Sequence, residues 1–155
     1  MMGKSYKKFY YRGNRDKYSV EQRAGVLTPL AGGQASVTIV PDTGIGGMRK
    51  VKHLTVSVAA QEVSGGVAHT AYWALVYVPQ GTAVGNINIT GANMYEPNQF
   101  VMNCGVVDFS AGPVRFRSPI SRNLNSGDSI VLVMLNPASD PATYRYCVRY
   151  AITLQ

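Results

Sequence analysis

The 155-residue chain reads as an all-β protein, a sandwich of two antiparallel sheets. Three observations predict it. Short runs alternate apolar and polar residues with a period of two; glycine- and proline-rich segments separate them; and long helix-favouring stretches are scarce, with 16 glycines and 8 prolines spread along the chain. At 46% hydrophobic content the chain suits one domain able to bury a core of its own.

Eight strands can be drawn in order. The first lies near residues 18–28 and stops at "PLAGGQ". "ASVTIV" runs into the turn "PDTGIGG", and "KVKHLTVSVAAQ" into "EVSGG". In the latter, Leu54, Val56 and Val58 alternate with Thr55 and Ser57. "TAYWALVYV" ends at "PQG", where proline's missing N–H costs least. A long connection, "GNINITGANMYEPNQ", has room for a short helical turn near residues 91–95 before the fifth strand, "FVMNC". "PVRFRSPI" is the sixth. "RNLNSGD" then sets Asn125, Ser126, Gly127 and Asp128 as a tight turn into the seventh, "DSIVLVML". That turn lacks the GxxxxGK[ST] spacing of a phosphate loop. "TYRYCVRYAITL" is the clearest strand: Tyr144, Tyr146, Val148, Tyr150, Ile152 and Leu154 share one face, with Arg145, Cys147, Arg149, Ala151 and Thr153 on the other. "WALVYV" and "SIVLVML" are apolar throughout and suit strands covered on both faces.

Eight strands match the jelly roll directly. An immunoglobulin-like sandwich has seven or nine, and its cysteine pair brackets a tryptophan; here Cys104 and Cys147 both follow Trp73. The predicted fold is therefore a single eight-stranded jelly-roll sandwich over residues 18–155. The first, eighth, third and sixth strands form one sheet, and the second, seventh, fourth and fifth the other. Lettered B to I, these are the BIDG and CHEF sheets.

Residues 1–17 precede this domain as a basic, aromatic-rich arm with no apolar period. The chain's net charge is +7, and +5 of it falls before residue 24, from Lys4, Lys7, Lys8, Arg12, Arg15, Lys17 and Arg23 against Asp16 and Glu21. Such a segment cannot bury enough apolar surface to offset its ordering entropy, so it is expected to order only against a polyanion. Lys and Arg release counterions from phosphates, and Tyr6, Phe9, Tyr10, Tyr11 and Tyr18 offer rings on which unpaired bases stack. Single-stranded nucleic acid is the expected partner. A solvated, tag-like or targeting N-terminus is the plain alternative. No apolar h-region suggests a secretory signal, and no run approaches the ~20 apolar residues of a membrane span, so no membrane partner is expected.

The remaining basic residues gather in one predicted sheet. Lys50 and Lys52, with Arg49 beside them, belong to its third strand; Arg115 and Arg117 share one face of the sixth; Arg145 and Arg149 share one face of the eighth. The strands of the other sheet have none. A cationic row is an electrostatic footprint for phosphate, so these four arginines join the arm as candidate nucleic-acid contacts. Contacts between subunits, or pairing with acids such as Asp42, Glu62, Asp108, Asp128 and Asp140, is the competing reading. Tyr95, Glu96, Pro97 and Asn98 form a loop that is a candidate for receptor contact, against ordinary loop packing.

Nothing points to catalysis, and no cofactor or metal is expected. His53 and His69 are the only histidines, with no HxH or HxxE spacing of the kind an enzymatic jelly roll uses for metal. His53 reads as a strand residue near solvent and His69 as a turn or strand-start residue. The two cysteines read as buried thiols of a chain that folds in a reducing compartment.

Several stretches together carry a resemblance: "GMRKVKHLTVSV", "YWALVYVPQGT", "MYEPNQFVMNCGVVDFSAGPVRFRSPISRNLNSGDSIVLVM" and "YRYCVRYAIT". Over residues 18–155 the chain resembles the capsid proteins of small circular single-stranded DNA viruses, the circovirus-like and related unclassified CRESS DNA viruses. The resemblance implies a single jelly roll, an inward-reaching basic arm, and sixty copies in an icosahedral T=1 shell. It further implies an enclosed circular single-stranded DNA genome, a host-cell receptor, and assembly inside the host cell, the nucleus included, where a basic cluster can also serve import. One departure matters: circovirus arms are long and very arginine-rich, whereas this one is short and mixes lysine with tyrosine. The alternative function is a non-viral jelly-roll module, trimeric, that binds a ligand or carbohydrate and carries a basic tail.

Overall fold

A computed structural model describes residues 18–61, 70–83 and 100–154. They form nine strands: β1 (Ser19–Leu27), β2 (Gln34–Val40), β3 (Arg49–Gln61), β4 (Thr70–Val78), β5 (Phe100–Asp108), β6 (Val114–Arg117), β7 (Arg122–Leu124), β8 (Ser129–Leu135) and β9 (Thr143–Leu154). One antiparallel sheet has the order β1-β9-β3-β6, with β7 also paired to β3; the other has the order β2-β8-β4-β5. This is the jelly-roll partition expected from the strand pattern.

Two details differ from expectation. The sixth strand ends at Arg117 rather than Ile120, and a further short strand not drawn from the sequence, β7, follows it; β6 and β7 pair successive parts of β3, at Thr55–Val58 and Arg49–Val51. Pro119 falls in the break, where a ladder N–H would be missing. The fifth strand runs on to Asp108, because residues 105–108 continue the ladder with β4 through Gly105, opposite Trp73. A Cβ at Gly105 would meet the Trp73 indole at 3.2 Å, so the ring lies flat over this strand. The short helix expected near residues 91–95, and His69, lie outside the described residues.

The core lies between the sheets. Leu54, Val56 and Val58 of β3, Val148 and Tyr150 of β9, Leu75 of β4 and Ile130, Leu132 and Met134 of β8 are all buried there. Each such side chain contributes roughly 1.5–3 kcal/mol by leaving water. Trp73 stacks on Phe116 across the two sheets, with ring centroids 3.9 Å apart. β4 and β8 also bury their other face: Ala74, Val76, Val78, Val131 and Val133 make a second apolar cluster. The unbroken apolar runs Trp73–Val78 and Ile130–Leu135 are thereby accounted for.

The first sheet is different, with one face in the core and one polar. Edge strand β1 is fastened to β9 over its full length. Gly25 pairs with Tyr146 and makes room for its ring, since a Cβ there would meet the phenol oxygen at 2.5 Å. The Tyr150 hydroxyl donates to Glu21 Oε2 at 2.6 Å.

Candidate nucleic-acid interface

The outward face of the β1-β9-β3-β6 sheet follows from its register. One row across it reads Gln22, Arg149, Thr55, Arg117, and the next Ala24, Cys147, Ser57, Arg115. A third reads Val26, Arg145, Ala59. The short residues Thr55, Ser57 and Ala59 of β3 thus floor a shallow trough, with Arg145 and Arg149 of β9 along one wall and Arg115 and Arg117 of β6 along the other. Neighbouring strands are about 4.8 Å apart, so the walls stand about 10 Å from one another. All four arginines are exposed. Arg145 Nε donates to Gln61 Oε1 at 3.0 Å, which holds its stem against the sheet and leaves its terminal nitrogens for a ligand.

Lys50 and Lys52 extend the same face, opposite Thr153 and Ala151 of β9. The outward positions of these strands hold six cations and no carboxylate. Close like charges raise the local potential and attract anions. Of the acids named as competing partners, Asp42, Asp128 and Asp140 are placed elsewhere. Asp128 is buried in the 125–128 turn, where its carboxylate accepts from Tyr77 Oη (2.6 Å), Asn125 N (2.8 Å) and Gln80 N (3.0 Å). Burial raises its pKa, but these bonds more than offset that and hold it below the ordinary carboxylate value. Gly127 in this turn has φ +83°, as its third position requires. Asp42 and Asp140 are exposed in loops.

The arm joins the domain on this face. Lys52 Nζ lies 4.7 Å from the centroid of the Tyr18 ring, a cation–π contact that seats the first described residue over the cationic sheet. Lys4, Tyr6, Lys7, Lys8, Phe9, Tyr10, Tyr11, Arg12, Arg15 and Lys17 lie outside the described residues, as do Tyr95, Glu96, Pro97, Asn98 and Glu62.

Three expectations need correction. Arg23 sits in β1 opposite Val148, so it points to the other side of the sheet from Arg145 and Arg149 and pairs with Glu21 at 4.0 Å. Together with Asp42, Arg49 and Tyr150 it lines a cleft of about 490 Å³ with charges of both signs. Arg49 is likewise turned inward, opposite Leu124 and Leu154, and is only 7% exposed. It donates to the carbonyls of Pro41 (2.8 Å) and Asp128 (3.0 Å), tying the β2–β3 loop to the β7–β8 turn. The cysteines are not both buried. Cys104 is exposed on edge strand β5, and Cys147 is half-buried on the cationic face, where Gln22 Nε2 donates to its sulfur at 3.2 Å.

One feature of this face escaped the strand pattern. Val51 and Leu54 both point inward but are three residues apart, so the alternation slips. That spacing was the available signal. β3 carries a β-bulge here, with His53 exposed at φ +55°.

No family profile matches this chain, and no curated protein sequence matches it. Among solved structures, it is similar to the Yersinia pseudotuberculosis-derived mitogen, at 13% identity and TM-score 0.40, over 90% of this chain and 88% of that one. A protein of Bacillus endospore appendages, described as disulfide-linked pili, aligns at 13% identity and TM-score 0.36, over 90% and 92%. The infectious bursal disease virus VP2 subviral particle aligns at 12% identity and TM-score 0.26, over 92% of this chain and 42% of that one. Superpositions this loose say nothing of what the chain does.

Proposed function

We propose that this chain is a structural capsid protein, whose copies close into a small icosahedral shell of sixty subunits (T=1) around circular single-stranded DNA. The observation that carries the reading is the one-signed sheet face: six cations without a carboxylate, adjoining through Tyr18 an arm with six cations of its own. A domain that only folds and binds a small ligand has no use for such a field. A container for a polyanion does, because each neutralised phosphate releases a counterion. Trough and arm divide the work. The arginines hold backbone phosphates without reading sequence, while Tyr6, Phe9, Tyr10 and Tyr11 of the arm stack unpaired bases.

The shell itself is built from edges and loops, where weak contacts with several neighbours make closure cooperative. In this reading the protein is no enzyme and needs no cofactor. It resides in the virion after assembly inside the host cell, the nucleus being the site of genome replication in the viruses it resembles, and residues 95–98 are the surface offered to a receptor.

Size-exclusion chromatography with negative-stain imaging tests this. The expected result is a discrete particle many times the subunit mass, with nucleic acid inside. Deleting residues 1–17 leaves the far-UV circular dichroism unchanged and lowers the 260/280 nm absorbance ratio. Persistent monomers or trimers free of nucleic acid would replace the reading with the ligand- or carbohydrate-binding module.

A further inference from the structure

The bulge in β3 opens a small pocket beside the arginine trough. Lys52 pairs with Ala151 and Thr55 with Arg149, so His53 and Leu54 together face the single residue Tyr150. An extra residue of this kind is easiest with glycine in the left-handed region; His53 occupies it at φ +55°. A non-glycine residue is strained there, and such strain concentrates at functional positions. The bulge lies at the gap between β6 and β7. Where β6 ends, Ser118 N donates to Leu54 O at 2.9 Å, so the connection folds down against the bulge. The result is a pocket of about 280 Å³ lined by Lys52, His53, Thr55, Arg117, Ser118 and Ser121.

Its chemistry favours an anion. Lys52 and Arg117 supply fixed positive charge, and among the described residues no carboxylate lines the pocket. Ser118 is only 4% exposed, and its oxygen already accepts from Ile120 N at 3.3 Å, which leaves its proton to donate. A buried hydroxyl facing two cations suits a tetrahedral oxyanion. Fixed charge and hydroxyls line it, with no Phe, Tyr or Trp ring among the lining residues for a base to stack on, which points to a phosphate group rather than a base. Arg117 and Thr55 belong both to this pocket and to the trough, so a strand lying along the trough passes its mouth.

We propose that this pocket seats one backbone phosphodiester of the packaged strand and fixes where that strand enters the trough. The inference rests on the DNA-binding role proposed above for the sheet. Lys52 and Arg117 hold the phosphate charge; Ser118 and Ser121 donate hydrogen bonds to its oxygens.

The test uses the full-length chain freed of nucleic acid, with oligo(dT) and an abasic oligonucleotide as probes in fluorescence anisotropy. Ser118→Ala and Ser121→Ala change no charge, so diffuse electrostatics would not register them. Each is expected to weaken binding of both probes about threefold to tenfold, the worth of one hydrogen bond to a charged group. Acetylation footprinting provides a second reading: the abasic strand should protect Lys52 more than Lys50, which does not line the pocket. Arg145→Gln, at the far end of the trough, separates the two proposals. If it weakens binding while both serine variants bind as wild type and Lys52 gains no protection, the pocket is wrong and the sheet's role stands. If Arg145→Gln and the serine variants are all silent, the DNA-binding sheet falls, and the pocket's role with it. A sulfated oligosaccharide that displaces the abasic strand from Lys52 at lower concentration than phosphodiester would reassign the pocket to a glycan.

Discussion

Two buried tyrosines on one strand should respond to the same substitution with opposite sign. Tyr144 and Tyr150 both point inward from β9, at 0% and 1% exposure. Tyr150 donates to the Glu21 carboxylate at 2.6 Å, whereas the buried Tyr144 hydroxyl has no hydrogen-bond partner among the described residues. An unsatisfied buried hydroxyl carries a desolvation penalty of about 1–3 kcal/mol. Tyr144→Phe removes it and keeps the ring on Phe109, whose centroid lies 5.5 Å away. A gain of about 1 kcal/mol is expected, or about 2–4 °C in Tm for a chain of this size. Tyr150→Phe deletes a bond to a charged acceptor, worth about 1.5–3 kcal/mol, and loosens β1 where the arm begins.

The wild type adds a signature in alkali. Burial pushes the Tyr144 pKa up to about 12, and burial together with the Glu21 bond does the same for Tyr150. A phenol that ionises near 10 when unfolded and near 12 when folded contributes stability that is whole below pH 10. That contribution is lost as pH rises from 10 to 12, up to about 2.7 kcal/mol per tyrosine. Urea unfolding followed by Trp73 fluorescence, at one protein concentration from pH 7 to 11.5, measures both effects. Loss of stability in Tyr144→Phe at pH 7, equal to that in Tyr150→Phe, would refute the argument.

Other consequences are as direct. Asp128→Asn replaces an acceptor of three hydrogen bonds by a group that must also donate, and should cost about 2 kcal/mol or more in urea unfolding. The folded-state pKa of Asp128 is lowered, so its contribution is present above about pH 4 and lost on further acidification; the variant should lack that part of the acid transition. Gly127→Ala forces a side chain into φ +83° with its Cβ 2.5 Å from Gln80 Cγ, and should lower stability by about 1–2 kcal/mol in the same assay. For oligo(dT), the slope of log K against log salt should shrink in magnitude by about 1.4 in Arg117→Gln/Arg149→Gln, from about 0.7 per single-strand phosphate contact. An unchanged slope would remove these two arginines from the interface.

Alternation made most of the architecture legible. Period two along β9 placed Tyr144, Val148, Tyr150 and Ile152 inward and Arg145 and Arg149 outward as the structure has them, and unbroken apolar runs marked β4 and β8 as covered on both faces. The sorting of cations by strand likewise found the four arginines of the trough. What alternation cannot show is a change of phase or the register between strands. Arg49 looked like a member of the cationic row, but it stands at the opposite parity from Lys50 and Lys52, and the bulge after Lys52 puts it in phase with Leu54 and turns it inward. Arg23 was grouped with the arm by charge, although its pairing with Val148 places it across the sheet. Ser118 and Ser121 carried no signal of their own, because their meeting with Lys52 depends on a strand break and a bulge distant in sequence.

The separation of the two faces of β3 and β9 also bears on how such a protein can change over time. From Leu54 onward in β3, and along β9, the core contacts are made at one parity of position, and Arg145 and Arg149 stand at the other. Replacing Ser57 or Ala59 by lysine, or Arg115 by a neutral residue, would retune the grip on cargo without disturbing a packed side chain. In the proposed capsid, a lineage can therefore track a longer or shorter genome by single outward substitutions, while the folding code underneath is inherited intact.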